Sequence, residues 1–254
     1  MALLEVHNLS KRFGGLQAVK DVSFSVQENS IKAVIGPNGA GKTTLFNLVS
    51  GFLEPDSGSI AFQGSAIHTK NPYEIAEQGL SRTFQHIRLF AHMNALENVM
   101  VGCHVRSRAG FLAGMLNLPW TRREERDIRD RSLEVMSFLG IDGLAHSEAT
   151  SLSYGQQRAV ELARALAGRP AMLLLDEPAA GLNMRETADT AKLISRIRDL
   201  GITVLIVEHD MSLVMNISDE IIVLSYGEKI ADNAPRVVQN DPEVVRVYLG
   251  EDDA

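Results

Sequence analysis

Three clusters in this 254-residue chain have the residue types and spacing for chemistry on phosphate. The first is Gly36-Pro37-Asn38-Gly39-Ala40-Gly41-Lys42-Thr43-Thr44, which fits G-x-x-x-x-G-K-[ST]. Its glycines let the backbone curl around an anion and turn several N–H groups inward. Lys42 adds a full positive charge, and the Thr43 hydroxyl suits a magnesium ion carried by a nucleoside triphosphate. The second cluster is Asp176-Glu177, two acids that close an apolar run. Acids so placed are costly unless they hold a cation or a water. With a phosphate loop upstream, Asp176 is expected to help hold Mg²⁺ and Glu177 to act as base for the attacking water. The third is His209, in Glu208-His209-Asp210 after another apolar run. A lone histidine is more often a surface or capping residue, but this one is placed to reach a terminal phosphate.

The elements that must position these groups are legible as an α/β pattern. Ile31–Ile35 is a short apolar run that breaks at Gly36 and restarts as a helix near Lys42, with Leu45, Leu48 and Val49 on its apolar face and Gly51 at its stop. Residues 171–175 and 202–207 are buried strands that deliver the acids and the histidine to their carboxyl ends, where open α/β sheets bind ligands. Residues 3–7 and 21–26 alternate apolar and polar, as half-buried antiparallel strands do. Phe13 lies between them in the turn-rich residues 11–15, where it fits either the core or a stack on a nucleotide base. A turn at 55–58 leads to a strand at 59–62, and residues 72–79 read as helix.

From 86 to 166 the texture is helical. The expected organisation is therefore one domain over 1–254, with an α/β core from 1–85 and 167–254 and an inserted helical subdomain between. Within the insert, residues 111–120 are apolar. Residues 122–131 are densely charged, as in a solvated helix with pairs such as Glu125–Arg129 and Asp127–Arg131. Leu152-Ser153-Tyr154-Gly155-Gln156 then opens a helix reaching about 167. Ser153 and Gln156 have capping-box spacing, and such a start also exposes N–H groups to an anion. A helix over 185–200 is expected to bury Leu193, Ile197 and Leu200. Two short strands around Tyr226-Gly227 and two helical turns, the second from Pro242, close the chain.

Composition narrows the partners. With 25 basic and 32 acidic residues the formal charge is −7. That argues against generic binding to nucleic acid or to an anionic membrane surface, since both need a net basic face. The single cysteine, Cys103, cannot form an internal disulfide and fits a reducing compartment. No signal peptide and no apolar run of the ~18 residues a spanning helix needs are visible. A soluble protein is expected, its membrane role, if any, exercised through a partner.

Five motifs now stand in the order found in ATP-binding-cassette (ABC) ATPases, and the chain resembles that family over nearly its whole length. They are the phosphate loop, Gln85 where the family has its Q-loop glutamine, the Leu152–Gln156 stretch matching the Leu-Ser-x-Gly-Gln signature, the acid strand with Glu177, and His209 as switch histidine. Residues 82–90, 176–183, 207–215 and 245–250 look closer still to the ATPase subunits of branched-chain amino-acid importers. The resemblance implies a P-loop NTPase core with a mostly parallel sheet, an N-terminal antiparallel β subdomain and an inserted helical subdomain. It implies Phe13 stacked on adenine and Mg²⁺ held by Thr43, Gln85 and, through water, Asp176. It also implies two chains, identical or paralogous, clamping two ATP molecules, so that Ser153, Gly155 and Gln156 of one face the nucleotide of the other.

The implied partners are a second ATPase subunit, membrane permeases and, indirectly, a periplasmic or extracytoplasmic substrate-binding protein. The implied place is peripheral, on the cytoplasmic side of the membrane. Tyr154 departs from the wider family, which usually has glycine there, and Asn183 stands where many relatives have an aspartate. A soluble ABC ATPase acting on nucleic acid or ribosomes is a different reading, disfavoured by the single compact cassette and the negative charge. A binding module without turnover is a third, disfavoured by the intact Glu177 and His209.

Overall fold

In the computed structural model, residues 1–85, 87–106 and 119–249 are described. They divide into two units, residues 1–75 with 174–254 and residues 76–173. In chain order the elements are β1 (Ala2–Phe13), β2 (Leu16–Gln27), β3 (Ile31–Ile35), α1 (Lys42–Val49), β4 (Ser57–Phe62), β5 (Ser65–Ala66), α2 (Pro72–Glu77) and β6 (Leu80–Arg82). Next come α3 (Ala95–Cys103), α4 (Pro119–Phe138), α5 (Tyr154–Ala167), β7 (Met172–Asp176), α6 (Met184–Asp199) and β8 (Thr203–Val207). The last are α7 (Met211–Ile217), β9 (Glu220–Ser225), β10 (Glu228–Asn233), α8 (Pro235–Gln239) and α9 (Pro242–Leu249).

The first unit carries two kinds of sheet, and the sequence pattern explains each. β1 pairs antiparallel with β2 on one side and with β4 on the other, and the order is β2-β1-β4-β5. Leu4, Val6 and Leu9 of β1, and Val22, Phe24 and Val26 of β2, are buried while residues between them face out. That alternation is what one solvated face requires. β3, β7 and β8 are instead buried at every position, as strands covered on both faces must be. β3 runs parallel to β8 on one side and to β9 on the other. β8 lies between β3 and β7, and β10 adds antiparallel to β9. Lys32 is the one cation inside β3. Its Nζ is answered by Asp232 at 2.7 Å, Glu220 at 2.9 Å and the Ser25 carbonyl at 2.8 Å.

The second unit is helical around one core. Leu96, Val99 and Cys103 of α3 pack with Ile128 and Met136 of α4 and with Val160, Ala163 and Ala167 of α5. Gly102 has no room for a side chain, because a Cβ there would run into the Arg164 carbonyl of α5. The buried Asn98 side chain gathers the preceding loop. It accepts from Phe90 N–H at 2.8 Å and donates to the Phe90, Met93 and Asn94 carbonyls.

Four expectations change. Ser57 and Gly58, expected in the 55–58 turn, belong to β4. β1 continues through residues 11–13, so the turn shrinks to Gly14-Gly15, and Phe13, left open between core and stack, is 46% exposed. α2 stops at Glu77. In α6, Ile194 and Ile197 are buried and Leu193 only partly so, while Leu200, 62% exposed, is the C-cap. The helix ends at Asp199, before Leu200 can join the buried face. The apolar residues 111–118 lie outside the described residues, as do the side chains of Pro119 and Trp120. No helix among the described residues is long and apolar enough to cross a membrane.

Candidate functional site

The phosphate loop follows β3 directly, and its shape is fixed by neighbours. Gly41 is the N-cap of α1 with φ +100, and a Cβ there would strike the Ala18 carbonyl. Glycine is therefore required twice over, by backbone angle and by space. The β9–β10 turn braces the loop from outside. Gly227 N–H donates to the Ala40 carbonyl at 3.0 Å, and Lys20 N–H donates to the Gly227 carbonyl at 2.8 Å. Ala40 N–H closes a turn onto the Pro37 carbonyl at 3.2 Å. Lys42 is 9% exposed and its ammonium stays within the loop, donating to the Gly36 and Pro37 carbonyls at 2.5 and 2.9 Å.

No side chain caps α1 at Gly41, and its first turn holds no acid. A helix start with uncapped N–H groups, a lysine at its first residue and no competing carboxylate fits a phosphate chain. Asn38, Gly39 and Thr43 are exposed beside it, and Thr44 is half-buried. The Thr43 hydroxyl is thus open to an ion carried by that phosphate chain.

The acids and the histidine arrive on adjoining strands. Asp176 ends β7 and is 4% exposed. Glu177 follows with φ +48, a left-handed angle uncommon for a residue other than glycine. Its N–H donates to the Val207 carbonyl at 3.0 Å, which sets the ends of β7 and β8 side by side. Val34 and Val207 are in register across β3 and β8. The phosphate loop, Asp176-Glu177 and His209 therefore emerge at one edge of the strand set β3-β8-β7. The His209 side chain is 64% exposed, with Nδ1 3.8 Å from a Glu208 oxygen. Asp210, next along, caps α7 by accepting from the N–H groups of Ser212 at 2.8 Å and Leu213 at 3.1 Å.

Phe13 ends β1 facing solvent, with Lys11 Nζ 6.0 Å from its ring centroid. Nearby, Asp56 accepts from Lys11 Nζ and from Arg12 N–H, each at 2.7 Å, and these hold its carboxyl below the usual carboxylate range. An exposed aromatic on a pinned hairpin is shaped for a flat ligand.

The remaining predicted site residues belong to the second unit and form their own group. Ser153 caps α5, accepting from Gln156 N–H at 3.4 Å, while the Gln156 side chain accepts from Ser153 N–H at 2.9 Å. Tyr154 is half exposed, and its hydroxyl accepts from Arg158 Nε at 3.2 Å and Nη2 at 3.0 Å. The same guanidinium donates to the Gln85 carbonyl at 3.1 Å and to that of Phe84 at 3.5 Å. Further along the helix, Glu161 accepts from Arg88 N–H at 3.4 Å and Arg164 donates to the Arg88 carbonyl at 2.6 Å. Glu161 is 2% exposed. Burial pushes its carboxyl upward, opposed by the Arg164 charge and by backbone N–H donors. One helix thus carries the Ser153 cap at its start and grips the segment around Gln85 with its next two turns.

Sequence reasoning named Glu208 without a role and overlooked Arg158, Glu161 and Arg164. A signal existed for Glu161, an acid beside Val160 and Ala163 on the apolar face of α5. Asn183 also gains an account. It caps α6, accepting from Arg185 N–H at 3.0 Å and Glu186 N–H at 3.1 Å, a task in which the shorter-branched acid and amide are equivalent.

Known proteins resemble the chain throughout. A family model described as ABC transporter matches residues 19–180. The high-affinity branched-chain amino acid transport ATP-binding protein BraF of Pseudomonas aeruginosa is 45% identical over 250 residues, 98% of each chain. The solved ADP conformation of MJ1267, an ATP-binding cassette of an ABC transporter, superposes with a TM-score of 0.85 at 34% identity, covering 98% of this chain and 99% of that one. The dimeric structure of MJ0796, a bacterial ABC transporter cassette, does so with a TM-score of 0.78 at 25% identity, covering 92% of this chain and 99% of that one.

Proposed function

Because this chain belongs to the ABC transporter family, as one of its ATPases, we propose that it powers import of branched-chain amino acids through a membrane permease. The observation that carries the reading is the end-to-end likeness to a branched-chain importer subunit, joined to the phosphate loop, acid pair and histidine at one strand edge. In this reading Phe13 stacks on adenine. The loop of residues 36–44, from Gly36, Pro37, Asn38, Gly39, Ala40 and Gly41 through Lys42, Thr43 and Thr44, wraps the phosphates with the N–H groups it has (Pro37 has none), and Lys42 adds a positive charge. Thr43, Gln85 and Asp176 are the residues that would hold Mg²⁺, whose charge, when bound, offsets that building on the phosphate oxygens. Glu177 orients and deprotonates the lytic water, and His209 donates to the γ-phosphate.

Two copies, identical or paralogous, close around two nucleotides. Ser153, Gly155 and Gln156 of each copy offer the start of α5 to the nucleotide held by the other, an N-terminus suited to an anion. The dimeric structure of MJ0796, a related cassette, supports pairing of two copies. The proposed place is the cytoplasmic face of the membrane, attached through the permease, with a substrate-binding protein on the opposite side. The domain organisation proposed is one cassette whose helical part grips the permease.

Reconstitution tests the whole reading. Vesicles holding the chain, the permeases encoded beside it and their binding protein should take up leucine only with Mg²⁺-ATP inside. Hydrolysis stimulated by nucleic acid, or by another solute class and not by leucine, would overturn it.

A further inference from the structure

Glu208 is fully buried, and a carboxylate in that position needs partners on every side. Among the described residues it has three backbone donors, and they come from two loops. One oxygen accepts from Ala179 N–H at 2.8 Å. The other accepts from the N–H groups of His209 at 3.0 Å and Asp210 at 3.3 Å. The loop leaving β7 and the turn leaving β8 are thus tied through one side chain. The backbone makes a second tie beside it, Glu177 N–H to the Val207 carbonyl. Between the two ties sits Glu177 in its left-handed conformation, with Ala180 N–H closing a turn onto the Glu177 carbonyl at 3.1 Å.

We infer that Glu208 is a positioning residue for ATP hydrolysis, locking the loop that carries Glu177 to the turn that carries His209. The inference rests on the reading of Glu177 as base and His209 as γ-phosphate partner. It explains why the position is acidic. Three N–H donors converge on two oxygens, and only a carboxylate accepts on both sides. Glutamine presents an oxygen to one side and an NH₂ to the other, where it meets an N–H head on. Whichever way the amide turns, Ala179 or the His209–Asp210 pair is released. Aspartate keeps the charge but lacks the reach to hold both. In either variant the general base loses its fixed bearing on the histidine while the phosphate loop, braced by the β9–β10 turn, is untouched.

The test uses the full chain as wild type, Glu208→Gln, Glu208→Asp, Glu177→Gln and the Glu177→Gln/Glu208→Gln double variant. Steady-state Mg²⁺-ATP hydrolysis and affinity for a non-hydrolysable triphosphate are measured on each. Both Glu208 variants should lose roughly 10–100-fold in kcat, with KM and analogue affinity within about twofold of wild type. The double variant should lose clearly less than the product of the two single losses, since Glu208 acts in part through Glu177.

Folded Glu208 variants with kcat within about twofold of wild type would overturn the inference, as would a rise in KM at unchanged kcat or losses that multiply in the double variant. Should Glu208→Gln fail to fold, the aspartate variant decides the matter by the same criteria. If neither folds, the residue is a structural element and the positioning role is rejected. Undiminished hydrolysis by Glu177→Gln alone would instead sink the underlying reading, whatever Glu208 does.

Discussion

The two groups of site residues are held in place by different means. In the first unit the backbone does the holding. Gly41 and Glu177 sit at positive φ, Glu177 N–H is bound to a strand-end carbonyl, and Glu208 accepts from backbone N–H groups on both of its oxygens. In the second unit long charged side chains do it. Arg158, Glu161 and Arg164 reach from α5 to the backbone at 84–88. Backbone ties within a buried strand set admit little adjustment, which suits groups that must meet a reacting phosphate within tenths of an ångström. Side-chain ties have several rotatable bonds and tolerate more movement. Under the proposed function, chemistry falls to the residues held by backbone and partner response to those held by side chains.

The sharpest way to break this comparison is at the stiff end. Glu177→Gln should leave nucleotide affinity near wild type while kcat falls about 10²–10⁴-fold, the usual worth of a general base. Single-turnover hydrolysis alongside equilibrium binding separates the two. If turnover survives, the strained position is a structural accident and the contrast loses its meaning. Gly41→Ala should act one step earlier. The alanine must hold φ near +100 and displace the Ala18 carbonyl, so a loss of about 1–3 kcal/mol in unfolding free energy is expected together with loss of triphosphate binding. Chemical denaturation and a binding titration on the same protein check both.

Mutation at the compliant end should look different. Arg158→Ala removes donors from the Gln85 and Phe84 carbonyls and from the Tyr154 hydroxyl, yet leaves the phosphate loop alone. Nucleotide affinity of the isolated chain should be unchanged. Hydrolysis stimulated by the permease should drop by roughly tenfold, equivalent to about one charge-assisted hydrogen bond. Arg158→Lys should restore little, because a lysine cannot fork between carbonyl and hydroxyl. Basal hydrolysis falling as far as stimulated hydrolysis would erase the distinction between the two units.

How much of this could be foreseen differed along the same line. Residues 36–44 were legible because they are contiguous and each type has one reason to be there. Asp176, Glu177 and His209 were legible from strand ends, since apolar runs announce where parallel strands stop. The fixation of Glu177 was not, because a left-handed φ at an acid leaves no mark in composition. Glu208 was visible as a letter but not as a latch, for its three donors come from backbone at 179, 209 and 210, and backbone carries no sequence code. Phe13 stayed ambiguous between core and ligand until β1 was seen to run past Lys11 and carry the ring outward. The α5 grip escaped because Arg158 and Arg164 read as surface charge when their carbonyl partners are some seventy residues away. Leu200 misled by fitting the helical period one residue beyond the helix.

The smallest predicted effect probes the cost of that grip. Burial raises the Glu161 carboxyl and lowers the Arg164 guanidinium, and each charge partly offsets the burial of the other at 3.7 Å. The two shifts act on titrations at opposite ends of the pH scale. A guanidinium stays charged near neutrality, so the acid carries the consequence. A carboxyl whose folded value lies above its unfolded one binds its proton more tightly when folded. The stability this contributes is complete below the ordinary value near 4.5 and is lost as pH rises through the raised folded value. Glu161→Gln has no such component, and it keeps an oxygen for Arg88 N–H. The variant should therefore gain on wild type in Tm as pH climbs from 4 to 7, whatever the offset between them at pH 4. In a chain of this size each kcal/mol moves Tm by about 2–4 °C, within reach of a thermal scan at four or five pH values. Parallel Tm profiles would mean that Arg164 and the backbone donors fully compensate the buried acid, and that the compliant grip costs the fold nothing.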